Sequence, residues 1–220
     1  MFKNQSVLTS VVGDIGAADG SFYDMFSICP VLTTVSGVNT SGGTDFGQMF
    51  FKCNALTTVP DLDTSLGTSF MQMFMSCLVL TDFPAMDTSS VTDFGGMFRG
   101  CASLTNAPVL NTSSGTTFSN MFLGCLSLTS IPALDMSSGT WFGAMFDFCV
   151  ALGQVDAYGF RYNVSVAATR LDAADLNTLF TNLGTADNTA AQQTVTITGT
   201  PGAATCDRTI ATAKGWTVTG

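Results

Sequence analysis

The apolar positions of this chain recur every 24 residues and change spacing halfway through each period. From Phe46, the residues Met49, Phe50 and Cys53 follow at i+3, i+4 and i+7, the stripe of one helix face at about 100° per residue. Leu56, Val59 and Leu62 come next between turn residues, and Leu80, Phe83, Met86 and Leu128, Ile131, Leu134 repeat that spacing as short extended segments. The pattern predicts a helix of roughly ten residues and then a short strand in every copy. Six copies keep strict register, with cysteines at 29, 53, 77, 101, 125 and 149 and Met-Phe pairs beginning at 25, 49, 73, 97, 121 and 145.

A helix this short is marginal in water and a lone strand has no partner, so the copies must stack to bury their apolar sides. Parallel strands stack about 4.8 Å apart whereas packed helices prefer about 8 to 10 Å. The expected fold is therefore an α/β repeat solenoid, a curved leucine-rich-repeat-like array with short parallel strands on the concave side and short helices on the convex side. Threonines at 44, 68, 92, 116 and 140 are placed to cap those helices, and Asp45 and Asp93 to favour their positive ends. Prolines at 60, 84, 108 and 132 lack a ladder N–H and should hold the strands to about three residues.

Residues 1–20 read as an N-terminal cap with a degenerate strand around Val11, Val12 and Ile15, and 21–157 as the six repeats. Residues 158–220 read as a C-terminal α/β capping module. There the spacing predicts a strand from Phe160 to Val166, a helix carrying Leu171, Leu176, Leu179, Phe180 and Leu183 capped near Asp172, and a polar loop over 185–193. A strand from Thr194 to Thr198, a turn at Pro201 and Gly202, a helix from Cys206 to Lys214 and a strand from Trp216 to Thr219 complete it.

Charge narrows the partners. All sixteen acidic residues are aspartate against seven basic ones, a net charge of -9, which argues against nucleic acid and anionic membrane surfaces. No run of eighteen apolar residues is present, so no membrane insertion is expected. The N-terminal residues hold no apolar run long enough for a signal peptide, so the chain is expected to act where it is made, to leave within an assembled particle, or to lack an upstream segment. Cysteines on helices about 8 to 10 Å apart lie beyond the roughly 7 Å Cα limit of a disulfide and read as small buried hydrophobes. Histidine and glutamate are absent and the serines have no base to activate them, so neither enzymatic activity nor a cofactor is expected.

Three polar or exposed columns are candidate sites. Asn39, Asp63, Asp87, Asn111 and Asp135 line up as calcium ligands would, but Asx residues followed by Thr-Ser satisfy their own backbone in turns and read as a structural ladder. On the concave face Thr34, Thr58, Asp82, Asn106 and Ser130 vary beside a constant threonine column, a candidate binding surface or simply a solvated sheet. On the convex face Phe51, Met75, Leu123, Trp141 and Phe148 stand where a soluble helix should be polar, a candidate protein interface.

The copies, for example MFMSCLVLTDFPAMDTSSVTDFGGMF from Met73 to Phe98, resemble the BspA-like leucine-rich repeats of bacterial surface proteins and mycoplasma lipoproteins over roughly residues 20–157. The ending TVTITGTPGAATCDRTIATAKGWTVTG is similar to that of repeat proteins of bacteriophages. Together with the missing signal peptide and lipobox cysteine, the resemblance implies a non-enzymatic virion protein, a tail fibre or surface component displayed on the virion surface. Its implied partners are a host cell-surface glycan or protein, other virion proteins and further copies of itself, with a trimer the form suited to a fibre tip. A structural capsid decoration protein and a bacterial surface adhesin remain alternatives. The family offers no catalytic residues to carry over.

Overall fold

The computed structural model describes residues 2–16 and 20–220, apart from the Asp14 side chain. The chain winds as a parallel β-solenoid of about nine turns. Every 24-residue copy closes one coil, and two faces run the length of the array.

One face carries Phe46 to Cys53 and its equivalents. Among the described residues no helix forms there, and the segment is instead a chain of overlapping turns. Phe46 O accepts from Met49 N, Gln48 O from Phe51 N and Phe50 O from Cys53 N, at 3.0–3.2 Å. Every fourth residue takes the left-handed conformation, as at Gln48 and Lys52 with φ of 56°. The N–H groups between the turns leave the coil: Phe46, Gln48, Phe50 and Lys52 donate to Ser69, Met71, Met73 and Met75 O at 2.7–3.0 Å. An α-helix keeps those donors for itself, so it could not bond to its neighbours this way. The turn chain also brings adjacent coils closer than helices can pack. Phe26, Phe50, Phe74, Phe98, Phe122 and Phe146 stack at 5.4–6.2 Å between ring centroids, nearly parallel and shielded from solvent. With no helices on this face, no thick layer forces the array to bend.

The predicted caps also work differently. Thr68, Thr92, Thr116 and Thr140 donate both N–H and hydroxyl to the carbonyl of the matching threonine one coil back, at 2.9–3.3 Å. Asp45 and Asp93 accept from Gly47 and Gly95 N at 2.8 Å. The cysteines stack inside the core, where each thiol from Cys53 to Cys149 donates to a phenylalanine carbonyl of the preceding coil at 3.1–3.2 Å. Phe50 O, for instance, accepts both Cys53 N and the Cys77 thiol. Burial pushes the Cys53, Cys101 and Cys149 thiols up to about 12.

The opposite face carries the strands. β1 (Ser10–Gly16) and β2 (Thr34–Asn39) pair in parallel, with a bulge between Val12 and Ile15. Residues 2–16 therefore follow the repeat closely, and Phe2 stacks on Phe26 at 5.4 Å. β3 (Ser130–Ile131) pairs with β4 (Gln154–Val155). Between these two sheets, residues 57–63 and 81–87 form no strand or bridge. Proline contributes to the gap: the coils with Ser36 and Asp156 in its place both hold strands, and Asp156 N donates to Ile131 O at 3.0 Å.

The C-terminal module adds β5 (Val164–Ser165), α1 (Ala173–Asn182), β6 (Thr194–Thr196), a 3-10 turn (Pro201–Ala204), α2 (Thr209–Thr212) and β7 (Thr217–Thr219). Its parallel sheet has the order β5-β6-β7. The expected strand from Phe160 and the helix from Cys206 are shorter than their apolar spacing implied. Asp172 caps α1 in a reciprocal box with Asp175. Lys214 Nζ donates to Phe180, Thr181 and Leu183 O at 2.6–3.2 Å, placing a cation on the carbonyls that end α1.

Candidate functional site

The gap in the strand face holds two adjoining hollows with polar lining. A hollow of about 470 Å³ opens between the coils of Asp82 and Asn106, walled by Phe83, Pro84, Pro108 and Val109. A second hollow, of about 230 Å³, adjoins it and is lined by Thr58, Asp61 and Asp82. One column changes its side chain here. Phe83 replaces the Val59, Ala107 or Ile131 of other copies, and its ring sits edge-on to Phe74 and Phe98 at 5.1 and 5.0 Å.

Of the five variable residues expected to bind, Thr34, Thr58, Asp82 and Asn106 are exposed and Ser130 is half-buried. The structure gathers Thr58, Asp82 and Asn106 around the two hollows and leaves Thr34 and Ser130 outside them. Asp82 Oδ1 accepts from Phe83 N at 3.0 Å, which fixes the carboxylate at the rim. Asn106 Oδ1 accepts from the Ser130 hydroxyl at 3.0 Å, and its Nδ2 donates to Thr105 Oγ1 at 3.3 Å. No lysine or arginine lines either hollow, so the surface offers hydroxyls, an amide and carboxylates and suits a polar ligand without negative charge. Sequence reasoning missed the walls Phe83 and Val109, although Phe83 was visible as a departure from its column.

The Asx column is occupied by its own backbone. Asn39, Asp63, Asp87 and Asn111 each accept the N–H and hydroxyl of the serine two residues on, at 2.7–3.2 Å, and Asp135 accepts Ser137 N at 2.9 Å. Those serine contacts hold the Asp63 and Asp87 carboxyls below the usual range.

The five turn-face residues do not form one surface. Phe51, Met75 and Leu123 are half-buried, and Lys52 Nζ lies 5.1 Å from the Phe51 ring centroid. Arg99 interrupts their row between Met75 and Leu123. Trp141 is 63 % exposed in another column, bridged to Thr117. Phe148 is 68 % exposed and left-handed, with φ of 62°.

The family model for "Mycoplasma protein of unknown function, DUF285" matches residues 20–109 and 68–182. The chain belongs to this family. No curated protein matches it. The second DUF285 match passes beyond the last 24-residue copy to the end of α1.

Proposed function

We propose that this DUF285 protein, akin to the BspA-like repeats, is a non-enzymatic recognition protein displayed on a particle or cell surface. Its strand face takes a host-surface glycan or protein. The observation that carries this reading is the gap at the third repeat, where Asp82 and Asn106 flank an open hollow on an otherwise repetitive scaffold. Ligand sites favour concave surfaces with a few convergent polar groups. The ending similar to bacteriophage repeat proteins supports a virion, as a tail fibre or surface component, over a cell-anchored adhesin. Purified chain should bind intact bacterial cells, and Asp82→Ala with Asn106→Ala should remove most of that binding while leaving the thermal melt unchanged. Undiminished binding by the double variant would sink this reading.

A structural role in particle assembly is the second reading. It is favoured by exposed Phe148, Leu78, Leu126 and Val150 on and beside the turn face. Light scattering across dilution separates the two: a stable trimer fits a fibre tip, and a monomer that fails to bind cells fits a decoration protein.

A further inference from the structure

A third hollow, of about 310 Å³, lies where the last 24-residue coil meets the C-terminal sheet, lined by Trp141, Phe142, Gly143, Tyr162, Asn163 and Gln193. It continues past Gly143 and Asn163 toward Ala144, Ser165 and Thr196. We propose that this groove binds an uncharged pyranose oligosaccharide, with the Trp141 indole as the stacking platform.

Three independent observations converge on that ligand. First, Trp141 stands where earlier coils carry Asp45, Ser69, Asp93 and Thr117, small polar residues that the fold evidently accepts. The coil thus exposes a large ring that its own packing does not need. Gly143 lies against the indole, and a Cβ there would come within 3.3 Å of Trp141 Nε1. Flat apolar faces with a polar edge suit sugar rings, whose own faces are apolar and whose rims are polar.

Second, the groove receives the end of the turn-face ladder. In each earlier coil the peptide N–H groups at these positions donate to the next coil, as Phe118 and Asn120 do to Trp141 and Gly143 O. The C-terminal module has no matching turn segment, and among the described residues Phe142 and Ala144 N–H have no protein partner. Both residues line the groove. Unpaired main-chain donors in residues that line a hollow call for an acceptor-bearing ligand.

Third, the lining carries no charged side chain, and Asn163, Gln193, Ser165, Thr194 and Thr196 bring hydrogen-bonding groups to it, while the Tyr162 hydroxyl is taken by Asp187. Gln193 is buried and satisfied at both ends, accepting Asn163 N at 2.9 Å and donating to Ala191 O at 2.9 Å. Asn163 Oδ1 is held by Thr194 N at 2.6 Å, which leaves its Nδ2 donors for a ligand. No Asp, Lys or Arg lines either part of the groove, so nothing selects an ion. This site is separate from the strand-face hollow and stands or falls without it.

The two tryptophans make the test direct. Trp216 is buried and donates to Gly184 O, so only Trp141 should report a ligand. Full-length chain titrated with cellotriose, maltotriose, chitotriose and galacturonate trimer should show a saturable blue shift with at least one neutral trimer. Trp141→Thr, which restores the residue of the preceding coil, should weaken that binding about tenfold in isothermal titration. Asn163→Asp keeps the contact to Thr194 and replaces the donors, and should weaken it about three- to tenfold. A response to none of the four, or to galacturonate alone, would overturn the proposal. So would binding lost in Asp82→Ala but kept in Trp141→Thr, which would assign the sugar to the strand face.

Discussion

The turn face and the strand face belong to the same coils, yet one runs without a break where the other lapses in the middle. On the turn face the donors of every 24-residue coil but the last reach the next through residues 46, 48, 50, 52 and their equivalents, whatever side chains stand there. On the strand face the ladder holds at β1–β2 and β3–β4 and fails around residues 57–63 and 81–87. The difference shows that one continuous set of inter-coil bonds above a stacked aromatic core is enough to hold register. The second face is then free to vary in sequence and shape, and both candidate binding hollows lie where a ladder stops.

The largest way to break the shared core is collective. Burial raises the pKa of the stacked thiols, so the folded state keeps protons that the unfolded chain releases above its ordinary thiol value near 9. Stability should be full below about pH 8 and fall steadily as pH rises toward the folded value of about 12. Denaturant midpoints that stay flat from about pH 8 to 11 would mean that the thiols reach solvent. Next in size, Phe98→Ala removes a ring stacked between Phe74 and Phe122 and should cost about 3–5 kcal/mol in chemical unfolding.

Smaller effects separate the faces. Phe148 holds a left-handed backbone where Gly100 and Gly124 stand in two earlier coils, so Phe148→Gly should stabilise the chain by about 1 kcal/mol in a thermal melt. Any destabilisation would show that its exposed ring packs on something. Smallest of all, Asp82→Ala on the strand face should change stability by less than about 0.5 kcal/mol, because its hydrogen bond is to the adjacent residue at the surface. A large loss there would make the gap a folding element and not a surface free to vary.

Much of this was legible in the chain. The period, the phenylalanine and cysteine stacks, the Asx turns and the cap of α1 all follow from residue type and spacing. The turn chain did not, because apolar residues at i, i+3, i+4 and i+7 face one side in a run of turns as they do in a helix. Hydropathy records where side chains point and not where N–H groups go. Gly96, Gly100 and Gly124 at left-handed positions were the available signal, but Gln48, Lys52 and Gln72 occupy the same positions in other coils and concealed it. Of the strand-face site, Asp82 and Asn106 could be named from their variable column. The hollow itself depends on how the Phe83 ring packs edge-on to Phe74 and Phe98, and composition does not encode that.

The inter-coil bonds also set how the molecule would respond to load. Bonds that run along the solenoid axis join coil to coil in series, so a pull on the two ends is borne by one interface after another. Each coil that peels away frees 24 residues, roughly 80 Å of contour. Stretched from its two ends, the repeat array would pay out in near-equal steps and act as a shock absorber with a fixed stride.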